Sequence, residues 1–343
     1  SDDEPKALQY LEIAAKKARS SYAIETAIQG YASILEIWKK RDGPEAQAAQ
    51  ANVLYQMGVM AYEMGDYDRA APWLEQAVAG YRSLQDARNE GWSVMYLGMV
   101  DLKRANYGLS MQRHTYALEQ ARLRGDRAQE GIHLTNLARV MLRLGVNDQA
   151  EKMFDESLVI KREQNDLVGQ GFSYYYLGLT HLYQGRLDRA QENLDASSTM
   201  WAQVANNARG LAYCNQGRGL LALARGEFTA ALDLFGQALA SCEKLVLKAE
   251  TIENLSWISQ ANLGLGNLDA ARLAGEKALK LLAVQRDVEE QQQVYFNQYR
   301  VLHALGESGA AFLLQKANEE MQSQAERLAD PVLLQSFLGN VRV

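Results

Sequence analysis

Three cationic side chains, Lys103, Arg139 and Arg143, recur among aromatic and amide side chains at helical intervals of three and four. Cationic groups flanked by aromatic rings suit a carboxylate or phosphate on an extended ligand. Trp and Tyr beside Arg and Asn are also a combination enriched at binding interfaces. We therefore predict a ligand- or partner-binding face that also contains Trp92, Tyr96, Asn136, Phe172, Tyr176, Tyr183, Tyr213 and Trp257. The alternative is that these rings only pack between neighbouring helices.

Residues for catalysis or metal binding do not form a known pattern. None of the four histidines belongs to an HExxH motif or a Cys/His cluster. The two cysteines, Cys214 and Cys242, form no CxxC motif, so we expect two buried thiols. The sequence contains neither GxSxG nor the phosphate-binding GxxxxGK[ST] motif. We predict no catalytic residue, no metal site and no cofactor, and therefore a protein that is not an enzyme.

The elements that would position the binding face repeat along the chain. A turn residue recurs every 40 or 41 positions, at Gly65, Ala105, Gly145, Gly185, Gly226, Gly266 and Gly306. Glycine ends a helix by adopting the left-handed conformation at little cost. Small residues stand five positions after each turn and, in most copies, seven before it, so two antiparallel helices can approach closely. The pattern therefore predicts a series of helical hairpins.

A second junction separates consecutive hairpins. Acidic or amide residues recur there 40 positions apart, at Asp86, Asp126, Asp166 and Asn206. Their short polar side chains accept hydrogen bonds from the first backbone N–H groups of a helix. We predict that each one caps the helix that follows.

With these features the chain resembles the tetratricopeptide repeat family. The family's spacing of small, turn and apolar residues is present at Leu97-Gly98, Ala105, Tyr107 and Ala117, and again from Leu177-Gly178 to Ala190. The resemblance implies an all-α fold: an α-solenoid, or right-handed superhelix, of about eight antiparallel hairpins with a period of 40. It also implies that the first helix of each hairpin lines a concave face. We expect one domain, 1–343, with a worn cap hairpin in 1–45, seven repeats in 46–325 and a C-terminal cap in 326–343.

The junctions and the tail from Leu313 to Val343 resemble the C-terminal arrays of large bacterial signalling ATPases, such as maltose-regulator-like transcription activators. This resemblance implies the sensor or interaction module of a larger regulator. Two alternatives remain open. One is a free-standing scaffold that holds two proteins together. The other is a peptide-pheromone receptor, in which Asn136, Asn254 and Asn297 bond an extended peptide backbone.

The composition of the chain limits which partners and which cellular location we expect. The net charge of −6 argues against direct binding to a nucleic-acid backbone, and no apolar run is long enough to span a membrane. The acidic, polar start of the chain is unlike a secretory signal. We expect a cytoplasmic protein with a protein or peptide partner. A small anionic ligand and a homo-oligomer are further alternatives.

Overall fold

The computed structural model describes residues 3–21, 23–205, 207–285 and 288–340, and within these ranges it contains seventeen α-helices and no strand. The helices are α1 (Asp3–Ser20), α2 (Ile24–Trp38), α3 (Pro44–Glu63), α4 (Tyr67–Ser83), α5 (Ala87–Lys103), α6 (Tyr107–Arg124), α7 (Arg127–Arg143), α8 (Asn147–Glu163), α9 (Leu167–Tyr183), α10 (Leu187–Ala202), α11 (Ala208–Ala224), α12 (Phe228–Lys244), α13 (Lys248–Gly264), α14 (Leu268–Leu282), α15 (Gln291–Leu305), α16 (Ala310–Ala325) and α17 (Pro331–Asn340).

Consecutive helices form hairpins. Tight packing joins α1 to α2, α3 to α4, α9 to α10, α11 to α12, α13 to α14 and α15 to α16. The order of the helices gives eight such pairs, followed by α17. The predicted all-α solenoid of about eight hairpins is confirmed. The N-terminal segment, in which the repeat pattern is degenerate, forms a complete helix pair, α1 with α2.

The turn within each of the last seven hairpins has the predicted left-handed residue. The backbone φ angle is +54° at Ala105 and between +69° and +76° at the six glycines of the series. A second left-handed series lies between hairpins, at Gln85, Gly125, Asn165 and Val246, with φ between +55° and +66°. Three of these four residues are not glycine, so this second turn has no sequence signal comparable to the glycine series.

The predicted helix caps are present. The carboxylates of Asp86, Asp126 and Asp166 accept hydrogen bonds from the backbone N–H groups three residues later, at 2.8–3.1 Å. In the next copy the amide oxygen of Asn207 does the same, at 3.0 Å from the nitrogen of Gly210. The preceding residue, Asn206, for which we predicted this role, lies outside the described residues.

Small residues allow the two helices of a hairpin to approach. A methyl group built on Gly178 would lie 2.8 Å from the side chain of Leu194, and one on Gly219 would lie 2.7 Å from the ring of Phe235. Both partner side chains have no exposed surface. The absence of a side chain at these glycines is therefore a packing requirement.

Packing divides the chain into two compact units. The first comprises residues 1–101 and 109–129, and the second comprises 102–108 and 130–343. Within the second unit, the Arg327 guanidinium donates to the Arg104 carbonyl at 3.0 Å and to Asn106 Oδ1 at 2.8 Å. The Tyr107 and Phe337 rings lie 5.9 Å apart. These contacts attach residues 102–108 to α17 and to the segment that joins it to α16. The single domain expected over 1–343 stays a prediction.

Cys214 and Cys242 are buried free thiols, as expected. Among the helices that the structure describes, none combines the length and apolar composition needed to cross a bilayer.

Candidate functional site

The second unit contains a cavity of about 590 Å³. Its wall consists mainly of the C-terminal ends of the first helices of successive hairpins. It is lined by Leu142, Arg143, Gly145, Asn147, Leu182, Tyr183, Leu220, Leu223, Ala224, Phe228, Trp257, Gln260, Leu263, Gly264, Glu290, Gln293 and Arg300. Most are apolar, with amide and charged groups among them, a composition typical of a binding pocket.

Arg143 reaches this cavity but is held by two carboxylates of the chain. Its Nε atom donates to Glu289 Oε1 at 2.5 Å, and its Nη1 atom lies 3.0 Å from Glu290 Oε1. The Lys103 ammonium is 3.3 Å from the other oxygen of Glu289. The two cations that we predicted would meet a ligand anion are therefore paired internally.

The charges of this cluster shift the pKa of each carboxyl in a different direction. Burial alone would raise the pKa of Glu289, but Arg143 and Lys103 outweigh it and lower the pKa to about 2. Burial raises the pKa of Glu290, against the charge of Arg143 and with help from the neighbouring Glu289 carboxylate. Glu289 therefore ionises more readily than Glu290.

Two further carboxyls of α13 lie along the same helix face as Trp257. Glu250 accepts a hydrogen bond from the Tyr213 hydroxyl at 2.9 Å, and the Arg209 guanidinium lies 3.8 Å away. Glu253 accepts from Gln216 Nε2 at 3.1 Å. Burial raises the pKa of Glu253 to about 7, and the negative charges of Glu250 and Glu290 add to this effect while Lys103 opposes it.

On α15, polar groups line the cavity wall. Gln260 of α13 donates to the Asn297 carbonyl at 2.8 Å, and Gln293 donates to Asn297 Oδ1 at 2.9 Å. These bonds fix two of the amide groups on the wall. The guanidinium of Arg300 is exposed and makes no ion pair with any residue that the structure describes. It is therefore a cation that a ligand can reach.

The remaining predicted residues of the second unit pack against one another. The Arg139 guanidinium lies 5.0 Å from the centre of the Tyr176 ring and donates to Asn136 Oδ1 at 3.3 Å. The Phe172 ring meets the edges of Trp201 and Tyr213 at 5.1 and 5.8 Å. These aromatic residues contribute to packing between hairpins, the alternative that we kept open from the sequence.

The other two predicted residues, Trp92 and Tyr96, are half-buried in α5 of the first unit. The Tyr96 ring makes edge contacts with Tyr55 at 5.9 Å and Tyr62 at 5.6 Å. Their role in binding stays a prediction.

Asn254 and Asn297, which we expected to bond a peptide backbone, are each about 1% exposed. Asn254 Nδ2 donates to the Glu250 carbonyl at 2.8 Å, and Asn297 Nδ2 donates to Ser256 Oγ at 2.9 Å. A ligand cannot reach them in this arrangement. Asn136 is also buried.

Of the predicted binding residues, Arg143, Tyr183 and Trp257 line the cavity. Glu289 and Glu290 were missed. Their only sequence signal is a pair of acidic residues ahead of α15, and their partners lie more than a hundred residues away. Among the residues that the structure describes, no group of three or more His, Cys, Asp or Glu side chains is arranged to hold a metal ion.

Comparisons with known proteins agree with the fold. Residues 51–84 match the model of the tetratricopeptide repeat, whereas a search of curated proteins gave no match. A Rap protein complexed with Competence and Sporulation Factor has a TM-score of 0.68 at 14% identity, over 97% of this chain and 95% of that chain. NprR in complex with its cognate peptide NprX has a TM-score of 0.66 at 12% identity, over 100% and 95%. The Rap conjugation gene regulator of the plasmid pLS20, in complex with the Phr* peptide, has a TM-score of 0.63 at 16% identity, over 80% and 75%.

Proposed function

We propose that the protein is a peptide- or protein-binding repeat module, and that a peptide segment of its partner occupies the cavity of the second unit. The observation that carries this proposal is the wall of the cavity. First helices of consecutive hairpins bring apolar side chains such as Leu220 and Trp257 together with the exposed guanidinium of Arg300. Such a wall offers both apolar burial and a charged group that fixes orientation.

The size of the cavity fits a short segment. Its volume of about 590 Å³ lies within the range of about 300–1,000 Å³ for ligand pockets. NprR and two Rap proteins, which share the fold, were solved in complex with a named peptide or factor. These likenesses support a peptide over a small metabolite. An anionic group on the ligand would pair with Arg300.

We further propose that the chain binds its ligand without catalysing a reaction. It would then be the sensor or interaction module of a larger cytoplasmic bacterial regulator. Ligand binding would then restrain or release a neighbouring domain. The resemblance of the junctions and tail to signalling ATPases supports this role over a free-standing scaffold. The genomic reading frame separates the two roles, because a sensor module needs an effector domain in the same polypeptide.

The binding proposal is tested by selecting peptides from a displayed library of random heptapeptides on the full chain. The affinity of the selected peptide is then measured for the protein and two variants. Arg300→Ala removes a cation that lines the cavity and has no ion pair among the described residues. Arg189→Ala removes an exposed arginine of α10 that does not line the cavity and likewise has no ion pair among them. A lost charge-assisted contact costs about 1.5–3 kcal/mol, so Arg300→Ala should weaken binding at least tenfold. Equal affinities of the two variants would contradict the assigned site.

A further inference from the structure

Glu253 differs from the other carboxylates around it. Glu250, Glu289 and Glu290 each have a lysine or arginine within 4 Å. Glu253 is half-buried, and among the residues that the structure describes its one hydrogen-bond donor is the neutral amide of Gln216. A carboxylate that is partly removed from water and has no cation in direct contact is costly to ionise, so the charged form of Glu253 is destabilised here.

The carboxylate of Glu253 lies beside the cavity. Glu253 precedes Trp257 by four residues on α13, and Gln216 precedes Leu220 by four residues on α11. Residues four apart on a helix are surface neighbours. The contact between Gln216 and Glu253 therefore lies one helical turn from the pair Leu220 and Trp257, both of which line the cavity.

We propose that Glu253 and the ring of Trp257 form a subsite for a cationic group, an ammonium or a guanidinium, on the ligand of this cavity. The inference deepens the proposed function and rests on it. The carboxylate supplies the counter-charge, and the indole ring attracts a cation through its electron-rich face. Glu290, which also lines the cavity, adds negative charge at the same wall.

Among the residues that the structure describes, the neighbouring cations form their ion pairs with other carboxylates. The Lys103 ammonium pairs with Glu289, Arg143 is shared between Glu289 and Glu290, and the Arg209 guanidinium lies 3.8 Å from Glu250. The charged groups that act on Glu253 are Lys103, Arg143, Glu250 and Glu290. The two carboxylates among them discourage the ionisation of Glu253, and a ligand cation would favour it.

This arrangement couples the binding of a cationic ligand to the loss of the proton of Glu253. The pKa of Glu253 is about 7 in the unliganded protein, so the carboxyl is mostly neutral at pH 6 and mostly charged at pH 8. A cation binds the charged form, and the proton leaves to solvent. The affinity for a cationic ligand should rise about tenfold from pH 6 to pH 8, because about ten times more of the protein is then in the binding form.

The test uses 2-phenylethylammonium and its neutral analogue 2-phenylethanol as probes, with binding to the full chain followed by the fluorescence of its tryptophans and by ligand-observed NMR. We expect the ammonium to bind with the tenfold rise between pH 6 and pH 8, and the alcohol to bind at least tenfold more weakly at pH 8. Glu253→Gln should remove the preference and its pH dependence. Glu192→Gln changes an exposed glutamate of α10 that has no ion pair within the described part of the chain, and it should retain both.

Equal binding of the two probes, no binding of either, or an unchanged pH dependence in Glu253→Gln would overturn the subsite. Circular dichroism of each variant shows that it is folded. A second arm identifies the source of the cation in peptides selected from the heptapeptide library. If replacing arginine by citrulline or lysine by norleucine abolishes binding, the cation is a side chain of the peptide. If acetylation abolishes binding, the cation is the N-terminal ammonium of the peptide. Binding that survives all three changes also overturns the subsite while leaving peptide binding, and so the proposed function, intact.

Discussion

The guanidinium of Arg143 and the carboxylate of Glu289 form a hydrogen-bonded ion pair at 2.5 Å, although 146 residues separate them in the chain. Arg143 ends the first helix of its hairpin, and Glu289 precedes α15. A repeat pattern encodes contacts between neighbouring hairpins and predicts no pair at this separation. The pair therefore links hairpins of the second unit that are distant in sequence.

Removing the charge of Glu289 should strongly destabilise the protein. Glu289→Gln leaves Arg143 and Lys103 with one carboxylate fewer in a buried site, and breaking a buried pair costs about 3–5 kcal/mol. Glu319→Gln removes an exposed ion pair with Lys316, which water screens, so it should cost much less. Denaturation in urea, followed by circular dichroism, measures both costs. Similar losses in the two variants would show that the buried pair has no special role.

Glu253 should make stability decrease as the solution becomes less acidic. Its pKa is about 7 in the folded chain and near the ordinary 4.5 in the unfolded chain. Between these values the folded state holds a proton that the unfolded state has lost, so the free energy of unfolding falls as pH rises from about 4.5 to about 7. Glu253→Gln cannot titrate and should lack this decline.

We therefore expect Glu253→Gln to gain about 1–3 kcal/mol relative to the parent protein between pH 5 and pH 8. Glu289, whose pKa is lowered to about 2, loses its contribution only as pH falls below about 4.5 and does not affect this comparison. Urea unfolding at both pH values measures the difference, with Glu192→Gln as the exposed control. A constant difference between parent and variant would refute the shifted pKa.

Replacing either of two glycines of neighbouring helices by alanine should change the stability of the protein, in opposite directions. Gly219→Ala places a methyl group 2.7 Å from the buried ring of Phe235, so the hairpin of α11 and α12 must open. An overpacked core typically loses about 1–3 kcal/mol. Gly236 lies in α12 with no atom within 4 Å of the added methyl group. Gly236→Ala should gain about 0.5–1 kcal/mol, because alanine favours the helix.

Thermal unfolding of the two variants measures this difference. A stabilised Gly219→Ala variant would mean that the two helices do not approach as closely as the structure indicates.

Most of the fold was predictable because its determinants are local. Gly185 ends a helix and Asp166 caps one through contacts within a few residues, and the period of 40 repeats them. The left-handed turn at Val246 was not predictable, because valine is a poor residue for that conformation and nothing nearby signals it.

The binding face was only partly predictable. Steps of three and four along each first helix placed Arg143, Tyr183 and Trp257 on the wall of the cavity. The same steps could not show that Arg143 is held by Glu289, since that pairing depends on how distant hairpins meet. Nor could they separate Tyr176, which stacks on Phe154 at 5.6 Å, from a ring that faces a ligand.

The central claim, that the cavity of the second unit holds the peptide, is tested most directly by filling it. Ala224 is exposed and lines the cavity, so Ala224→Trp adds an indole there without entering the core. Ala240→Trp adds the same group at an exposed position of α12 outside the cavity. We predict that titration of a library-selected heptapeptide shows at least tenfold weaker binding to Ala224→Trp, unchanged binding to Ala240→Trp, and equal helicity in both. Full-strength binding to a folded Ala224→Trp variant would contradict the account.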